Sequence, residues 1–348
     1  MAVNVVFMSK EQTTMLKGIA ILMMLFLHLF SNLSFADGVT PLFWVGNLPF
    51  ATVFARACNP VDFFLVCSGY GLAYAHLRSM LAFERQLRRV AKLYLNYWLI
   101  LLLFIGVGSF VLPAYYPGDL RMIVDNVTGV NVDGYNHPAW FLLPYCMLSL
   151  SSSIVFRVVD KIGLKWSLMG SLVLSYASMY AISRYIAPSG LHHEWYSLVL
   201  TYFDLAFAFM VGAAICYIHD RKGVTISLLK ERQWLVRLLF VAWFAVHCLS
   251  GSAAVGPFFL CLFMLLFVNV EIKGTSRKVL IELGGKSMTM WLIHAFIYER
   301  FCHDFIYGFK YPLLIFLALV VSSYLLSIPI MRLSDMTIGR MTWISKKS

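Results

Sequence analysis

Two ionisable residues, Lys17 and His28, lie on the first long apolar stretch of the chain, with ten residues between them. Eleven helical steps of roughly 100° return to within about 20° of the start, so both side chains share one helix face. If Lys17 lies at a membrane boundary, His28 lies roughly 16 Å deeper, about halfway into a hydrocarbon core of roughly 30 Å. Ionisable groups at that depth are costly and usually functional, which makes both residues catalytic candidates. The alternative is a snorkelling lysine and a histidine that is hydrogen-bonded inside a bundle.

The composition of the chain indicates a membrane protein. Of its 348 residues, 60% are hydrophobic and only 13% are charged, against about 25% charged residues in typical soluble domains. Apolar runs long enough to cross a bilayer recur along the whole length. We therefore predict an all-α, polytopic membrane helix bundle of about ten transmembrane helices. The predicted spans are residues 15–33, 52–76, 91–113, 139–157, 167–187, 197–218, 233–249, 253–271, 287–303 and 312–333.

The distribution of lysine and arginine predicts the orientation of the bundle. With the N-terminus inside, the cytoplasmic segments hold 23 of the 28 basic residues, which is the bias expected of a correct topology. The outer side keeps only Arg56, Arg121, Arg184, Arg300 and Lys310. Residues 1–14 and 334–348 are then cytoplasmic tails, and residues 1–348 form a single integral membrane domain in the cell (inner or plasma) membrane. The asymmetry also explains the net charge of +11 without a nucleic-acid partner.

Metal chemistry is not expected from this sequence. The seven cysteines mostly fall within or beside apolar spans and show no CxxC spacing, so they are typical of small core residues. His192 and His193 are adjacent in an outer loop, and adjacent side chains point in different directions. Because no third ligand stands at an obvious spacing, we predict no metal site.

The second predicted span contains an acid and a small-residue motif. Asp62 lies at its outer end, where a carboxylate could cap a helix, bind a substrate hydroxyl or pair with Arg56. Ser68, Gly69 and Gly71 follow within three turns. Such small residues allow two helix backbones to approach closely, an ordinary packing device in membranes.

A basic stripe leads into the third span. Arg85, Arg88, Arg89 and Lys92 recur at helical spacings of three and four, so they share one face. One interpretation is positive-inside charge in contact with anionic lipid. The other is a phosphate site, because guanidinium groups bind phosphate oxygens bidentately.

Three further residues are candidates for a site. His137 and Trp140 begin the fourth span at its outer face, where they are either interfacial aromatic-belt residues or part of an external sugar site. His294, in the ninth span, is a second intramembrane histidine and a secondary candidate.

Taken in order, these pieces resemble the acyltransferase 3 family of integral membrane O-acyltransferases. That family carries a basic residue, ten intervening residues and a histidine on its first helix, Phe-Phe followed by Ser-Gly on the second, and then an arginine-rich loop. The matching residues of this chain are Lys17, His28, Phe63, Phe64, Ser68, Gly69, Arg85, Arg88 and Arg89. The resemblance runs at least from residue 10 to about residue 300 and agrees with the ten-span topology.

The resemblance implies transfer of an acyl group, most often acetyl from acetyl-CoA, to a hydroxyl of a carbohydrate. Acyl-CoA is then a donor substrate, and no permanently bound cofactor is expected. His28 is the expected general base or covalent acyl carrier, and Lys17 is expected to position the donor. A cytoplasmic, polyanionic donor suits the basic loop that holds Arg85, Arg88 and Arg89.

The acceptor is expected outside or at the lipid surface, beside Asp62, His137 and Trp140. Exopolysaccharide, lipopolysaccharide, capsule and lipid-linked sugar are all candidate acceptors. Some relatives append an extracytoplasmic hydrolase-like domain, for which this chain has no room, so direct transfer or a separate transferase partner is expected.

Two other classes of function stay open. One is a glycan or lipid-linked sugar transporter or flippase with an intramembrane proton relay, and the other is a scaffold or sensor without chemistry.

Overall fold

The prediction of an all-helical protein is confirmed by the computed structural model, which describes residues 8–31, 39–190, 194–222, 232–250 and 252–344. The described chain forms a two-stranded hairpin, β1 (Trp44–Val45) and β2 (Leu48–Pro49), and thirteen α-helices. These are α1 (Lys10–Phe30), α2 (Phe50–Arg56), α3 (Pro60–Leu77), α4 (Phe83–Val111), α5 (Leu120–Thr128), α6 (Leu142–Ile162), α7 (Leu164–Ala181), α8 (Trp195–Lys222), α9 (Gln233–Ser250), α10 (Gly256–Asn269), α11 (Gly274–Ala295), α12 (His303–Tyr307) and α13 (Pro312–Ile344). Shorter 3-10 turns are His137–Phe141, Ala187–Ser189 and Ala253–Val255, and π-helical turns are Ile182–Ile186 and Phe296–Phe301.

Seven segments of the described chain are long and apolar enough to cross a membrane. They are Lys10–Phe30, Phe50–Leu77, Phe83–Val111, His137–Ile162, Trp195–Asp220, Gln233–Ser250 and Pro312–Thr337. The other three predicted spans fall on α7, α10 and α11. Helix α10 has only 14 residues, α7 is interrupted by four serines, and the first half of α11 is charged. The count of ten spans and the orientation of the bundle stay predictions.

The second half of helix α11 is enclosed by protein on all sides. Every residue from 289 to 298 is buried, whereas a surface helix buries only one stripe. Its first half carries Arg277, Lys278, Glu282 and Lys286 and reaches solvent. The buried half holds His294 in the core of the bundle.

Helix α1 crosses α11 at two glycines, and this crossing is among the most extensive contacts of the fold. A Cβ atom on Gly284 would lie 1.9 Å from the Thr14 carbonyl oxygen, and one on Gly18 would lie 2.2 Å from the Leu280 carbonyl oxygen. Small residues of this kind let helices pack closely where lipid supplies no hydrophobic force between them. The crossing brings the predicted site residues of α1 against α11.

A second close crossing joins α3 to α8. A Cβ atom on Gly69 would lie 1.9 Å from the Phe209 carbonyl oxygen, and one on Gly212 would lie 2.1 Å from the Val66 carbonyl oxygen. A Cβ atom on Gly71, in contrast, would have no described atom within 4 Å. Of the two glycines in the motif, Gly69 therefore makes the close approach, and it fixes α3 beside the site.

Ion pairs tie the helix ends together at one end of the bundle, which we call the basic end. Arg277, at the start of α11, forms a bidentate pair with Glu11 at the start of α1. His76 Nε2, at the end of α3, lies 2.7 Å from an Asp160 carboxylate oxygen near the end of α6. The starts of α1 and α11 and the ends of α3 and α6 therefore lie on the same side, and we call the opposite side the far end.

Candidate active site

Two histidines from different helices meet in the interior of the bundle. The ring centroids of His28, on α1, and His294, on α11, are 5.1 Å apart, and the ring planes are inclined by 45°. His28 is partly buried, and its ring has no hydrogen-bond partner among the described residues. His294 is fully buried. The sequence singled out both residues, but it did not indicate that they form a pair.

Each nitrogen of His294 has a different environment. The Nδ1–H group donates to the Trp291 carbonyl oxygen at 2.7 Å, one turn earlier in α11. The Nε2 atom is buried and has no hydrogen-bond partner in the described part of the chain. Buried polar atoms without a partner are rare in folded proteins and call for an explanation.

A cavity of about 250 Å³ lies between this pair and the basic end. Three cationic side chains line it: Lys17 from α1, and Arg89 and Lys92 from α4. Hydroxyl groups of Ser68, Tyr145 and Ser287 and the apolar side chains of Phe64, Leu93, Phe141, Met288 and Trp291 complete the lining. We call this space the basic cavity. It combines positive charge with apolar walls, so it suits an anionic molecule that carries an apolar arm.

The basic stripe divides into residues that face this cavity and residues that do not. Of the three arginines that the sequence grouped as a donor site, only Arg89 lines the cavity. Arg85 donates from Nη1 to the Met80 carbonyl oxygen at 3.1 Å, and Arg88 is exposed. Lys17 and Lys92 stand with Arg89 in place of the other two arginines. A single helix face therefore spans more than one environment here.

Three hydroxyl-bearing residues also line the basic cavity, and of these the sequence had singled out only Ser68. Ser68 Oγ lies 3.3 Å from the hydroxyl oxygen of Tyr145 and donates to it. Ser287 donates to the Gly284 carbonyl oxygen at 2.9 Å, within its own helix. Tyr145 is a polar aromatic residue in an otherwise apolar stretch, which was the one signal in the sequence that could have identified it.

A larger cavity, of about 560 Å³, opens on the far end. His137 and Trp140 both line it, beside Asp133, Glu194 and Trp195. His137 Nδ1 donates to an Asp133 carboxylate oxygen at 2.6 Å. We call this space the acidic cavity, because its lining carries two carboxylates and two indole rings. His192 and His193, which the sequence excluded as metal ligands, lie outside the described residues.

The 3-10 turn His137–Phe141 lies between the two cavities. Its first and fourth residues line the acidic cavity, and Phe141 lines the basic cavity. The Trp291 Nε1–H group donates to the Pro138 carbonyl oxygen at 2.8 Å, and the rings of Phe141 and Trp291 are 5.6 Å apart. Aromatic side chains thus lie between the cavities, and the turn that holds them is hydrogen-bonded to the same segment of α11 that carries His294.

Asp62 does not join the acidic cavity that holds His137 and Trp140. It lines a separate cavity of about 210 Å³ with Asp204, Asn59 and Ser175, between α3, α7, α8 and α10. Ser175 Oγ donates to an Asp204 carboxylate oxygen at 3.1 Å. The expectation of Asp62 as an acceptor-side group rested on its depth in α3, but depth alone does not tell which side of the helix faces which cavity.

The chain matches a known protein family. A family model described as an acyltransferase domain matches residues 14–332. This segment includes both histidines and the residues described above as lining both cavities. No curated protein and no solved structure matches the chain.

Proposed function

The chain belongs to the acyltransferase 3 family, and from this premise we propose that it moves an acetyl group from cytoplasmic acetyl-CoA to a carbohydrate hydroxyl at the far end. The observation that carries the proposal is the order of the groups from the basic end to the far end. Cations line the basic cavity, and His28 and His294 meet in the interior of the bundle. The acidic, aromatic cavity lies on the far side of Phe141 and Trp291.

The lining of the basic cavity supports acyl-CoA as the donor. The phosphates of coenzyme A would meet Lys17, Arg89 and Lys92, since cationic side chains form short, charge-assisted hydrogen bonds with phosphate oxygens. The apolar walls formed by Phe64 and Met288 suit the pantetheine arm, which would carry the thioester towards His28. Under this proposal the basic end faces the cytoplasm.

The lining of the acidic cavity supports a carbohydrate acceptor. The indole rings of Trp140 and Trp195 are exposed and can stack on sugar rings, since aromatic faces pack well against such surfaces. Carboxylates at Asp133 and Glu194 can accept hydrogen bonds from sugar hydroxyls. A cell-surface polysaccharide and a lipid-linked sugar both present this chemistry at a membrane surface.

His28 would act as general base for the transfer. The unprotonated ring nitrogen of His28 takes the proton of the acceptor hydroxyl. At the same time the hydroxyl oxygen attacks the thioester carbonyl carbon. The new C–O bond forms, the C–S bond breaks, and the proton passes from His28 to the departing thiolate, so that an ester and free coenzyme A leave. General base catalysis of this type contributes roughly 10²- to 10⁴-fold in rate.

The donor assignment predicts a specific kinetic effect of Arg89. Removing its charge by Arg89→Gln should raise the KM for acetyl-CoA about 10- to 100-fold, because a hydrogen bond to a charged group contributes about 1.5–3 kcal/mol. The measurement is transfer of labelled acetyl from acetyl-CoA to the glycan fraction of inverted membrane vesicles. Lys278→Gln is the matched control, since it removes an exposed charge from α11 outside the cavity. Absence of labelled glycan with the unaltered protein would overturn the proposal and favour transport.

The acceptor assignment predicts that Trp140 affects the KM for the glycan and leaves the KM for acetyl-CoA unchanged. With the protein in nanodiscs, where both faces are accessible, Trp140→Ala should raise the apparent KM for the added glycan fraction about 2- to 10-fold, since loss of an aromatic stacking surface costs about 0.5–1.5 kcal/mol. The KM for acetyl-CoA should stay within twofold of the original value. Trp166→Ala is the control, because Trp166 is an exposed tryptophan on α7 that lines neither cavity. An unchanged glycan KM in Trp140→Ala would remove this cavity from the acceptor path.

A further inference from the structure

The buried Nε2 atom of His294 is a polar group that the proposed reaction does not yet use. Because the Trp291 carbonyl oxygen can only accept, the Nδ1 atom that contacts it carries the hydrogen. In a neutral imidazole the other nitrogen is then a bare acceptor. The structure therefore holds a hydrogen-bond acceptor, with no partner in the described chain, inside the bundle.

The nearest polar ring to this acceptor on another helix is His28. Its ring centroid is 5.1 Å from that of His294, and aligned imidazoles at this separation bring two nitrogens to about 3 Å, the length of a hydrogen bond. The rings are inclined by 45°, so the hydrogen bond requires the partly buried His28 ring to rotate into that alignment. On the other side, the Tyr298 ring stacks on His294 at 5.9 Å and limits movement of its ring.

We propose that His294 is a positioning residue whose Nε2 atom accepts a hydrogen bond from an N–H group of His28. The inference rests on the proposed function, and it assigns the tautomer of the general base. With its N–H group directed at α11, His28 presents its bare nitrogen to the acceptor hydroxyl. His294 neither gains nor loses a proton: the hydroxyl proton moves to the bare nitrogen of His28 and leaves on the coenzyme A thiol.

The arrangement explains why a neutral acceptor faces His28 at this depth. A carboxylate in the same place would hold His28 more strongly, but it would carry a full charge into the membrane interior, where charged groups are costly. A second imidazole, fixed by a main-chain carbonyl of its own helix, orients the base without that cost. For comparison, removing a group that orients a metal-binding histidine typically costs about 10- to 100-fold in metal affinity or activity.

Two substitutions of His294 separate positioning from packing. The amide oxygen of His294→Gln can reach the place of Nε2, whereas His294→Asn can keep the contact with the Trp291 carbonyl but offers nothing at Nε2. We expect kcat to fall less than 10-fold in His294→Gln and about 100-fold in His294→Asn, with the KM for acetyl-CoA within threefold in both. Equal loss of kcat in the two variants, or a loss expressed only in KM, would overturn the proposal.

A second measurement does not depend on turnover. Nitrogen-15 NMR of histidine-labelled protein in nanodiscs reports the tautomer of each ring, with His28 assigned from the spectrum of His28→Gln. We expect one tautomer of His28 in the unaltered protein and a mixture in His294→Asn. A mixture already present in the unaltered protein would overturn the pairing. A single tautomer together with no acyl transfer would leave the pairing intact and refute the proposed function alone.

Discussion

Replacing His28 with alanine is expected to lower the rate of acyl transfer by about 10²- to 10⁴-fold, the range that a general base contributes. The KM for acetyl-CoA should change little, because His28 lies above the basic cavity and does not line it. The loss should therefore appear in kcat, as expected for an interaction made chiefly in the transition state. Initial rates of labelled acetyl transfer in vesicles, with equal amounts of folded protein, provide the measurement.

His303→Ala is the matched control for this experiment. His303 is a partly exposed histidine at the start of α12 whose Nδ1–H group donates to its neighbour Asp304 at 3.1 Å. It lines neither the basic nor the acidic cavity, so its loss should leave the rate within twofold. If His28→Ala transferred acetyl as fast as His303→Ala, His28 would have no part in the chemistry. The contact between His28 and His294 would then be one of packing.

The local part of the site could be predicted from the sequence. Helical periodicity alone placed Lys17 and His28 on one face of one helix, and α1 contains both residues. The all-helical class followed from apolar runs, which report a local property of the chain. Both predictions needed only the spacing of residues within about three turns.

Contacts between helices could not be predicted in the same way. His28 and His294 are 266 positions apart, and nothing in either helix specifies that their rings meet. The stripe of Arg85, Arg88 and Arg89 shares a face of α4, yet the wall of the basic cavity includes only Arg89. Which part of a face borders a cavity depends on the crossing angle of its neighbours. A glycine in the sequence indicates that a helix can be approached closely, but its partner is a backbone atom, so the sequence does not identify which helix approaches.

The predicted span on α11 illustrates a limit of hydropathy patterns. A hydropathy pattern reports how apolar a segment is, but it does not distinguish contact with lipid from contact with protein. The second half of α11 is apolar and is enclosed by other helices, and its charged first half lies at the basic end. The apolar pattern of this segment therefore fits a membrane span and a buried core helix equally well, and the count of ten spans stays a prediction.

The crossing of α1 and α11 should be the most sensitive point of the site, and Gly284→Ala tests it. The added Cβ atom would lie 1.9 Å from the Thr14 carbonyl oxygen, so the two helix backbones must separate. Overpacking of this kind costs about 1–3 kcal/mol. Since displacement of reacting groups by about 1 Å costs roughly 10²-fold in rate, we expect a comparable loss of acyl transfer and a clear fall in Tm.

Gly285→Ala is the matched control, because a Cβ atom on this neighbouring glycine would have no described atom within 4 Å. The same methyl group on the same helix should leave transfer unchanged and raise stability slightly, since alanine is favoured over glycine in helix interiors by about 0.5–1 kcal/mol. Thermal unfolding in nanodiscs and the rate of labelled acetyl transfer distinguish the variants. If both substitutions had equal effects, the close approach of α1 and α11 would not be what holds His28 against His294. A fall in Tm without a fall in rate would assign the crossing to stability alone.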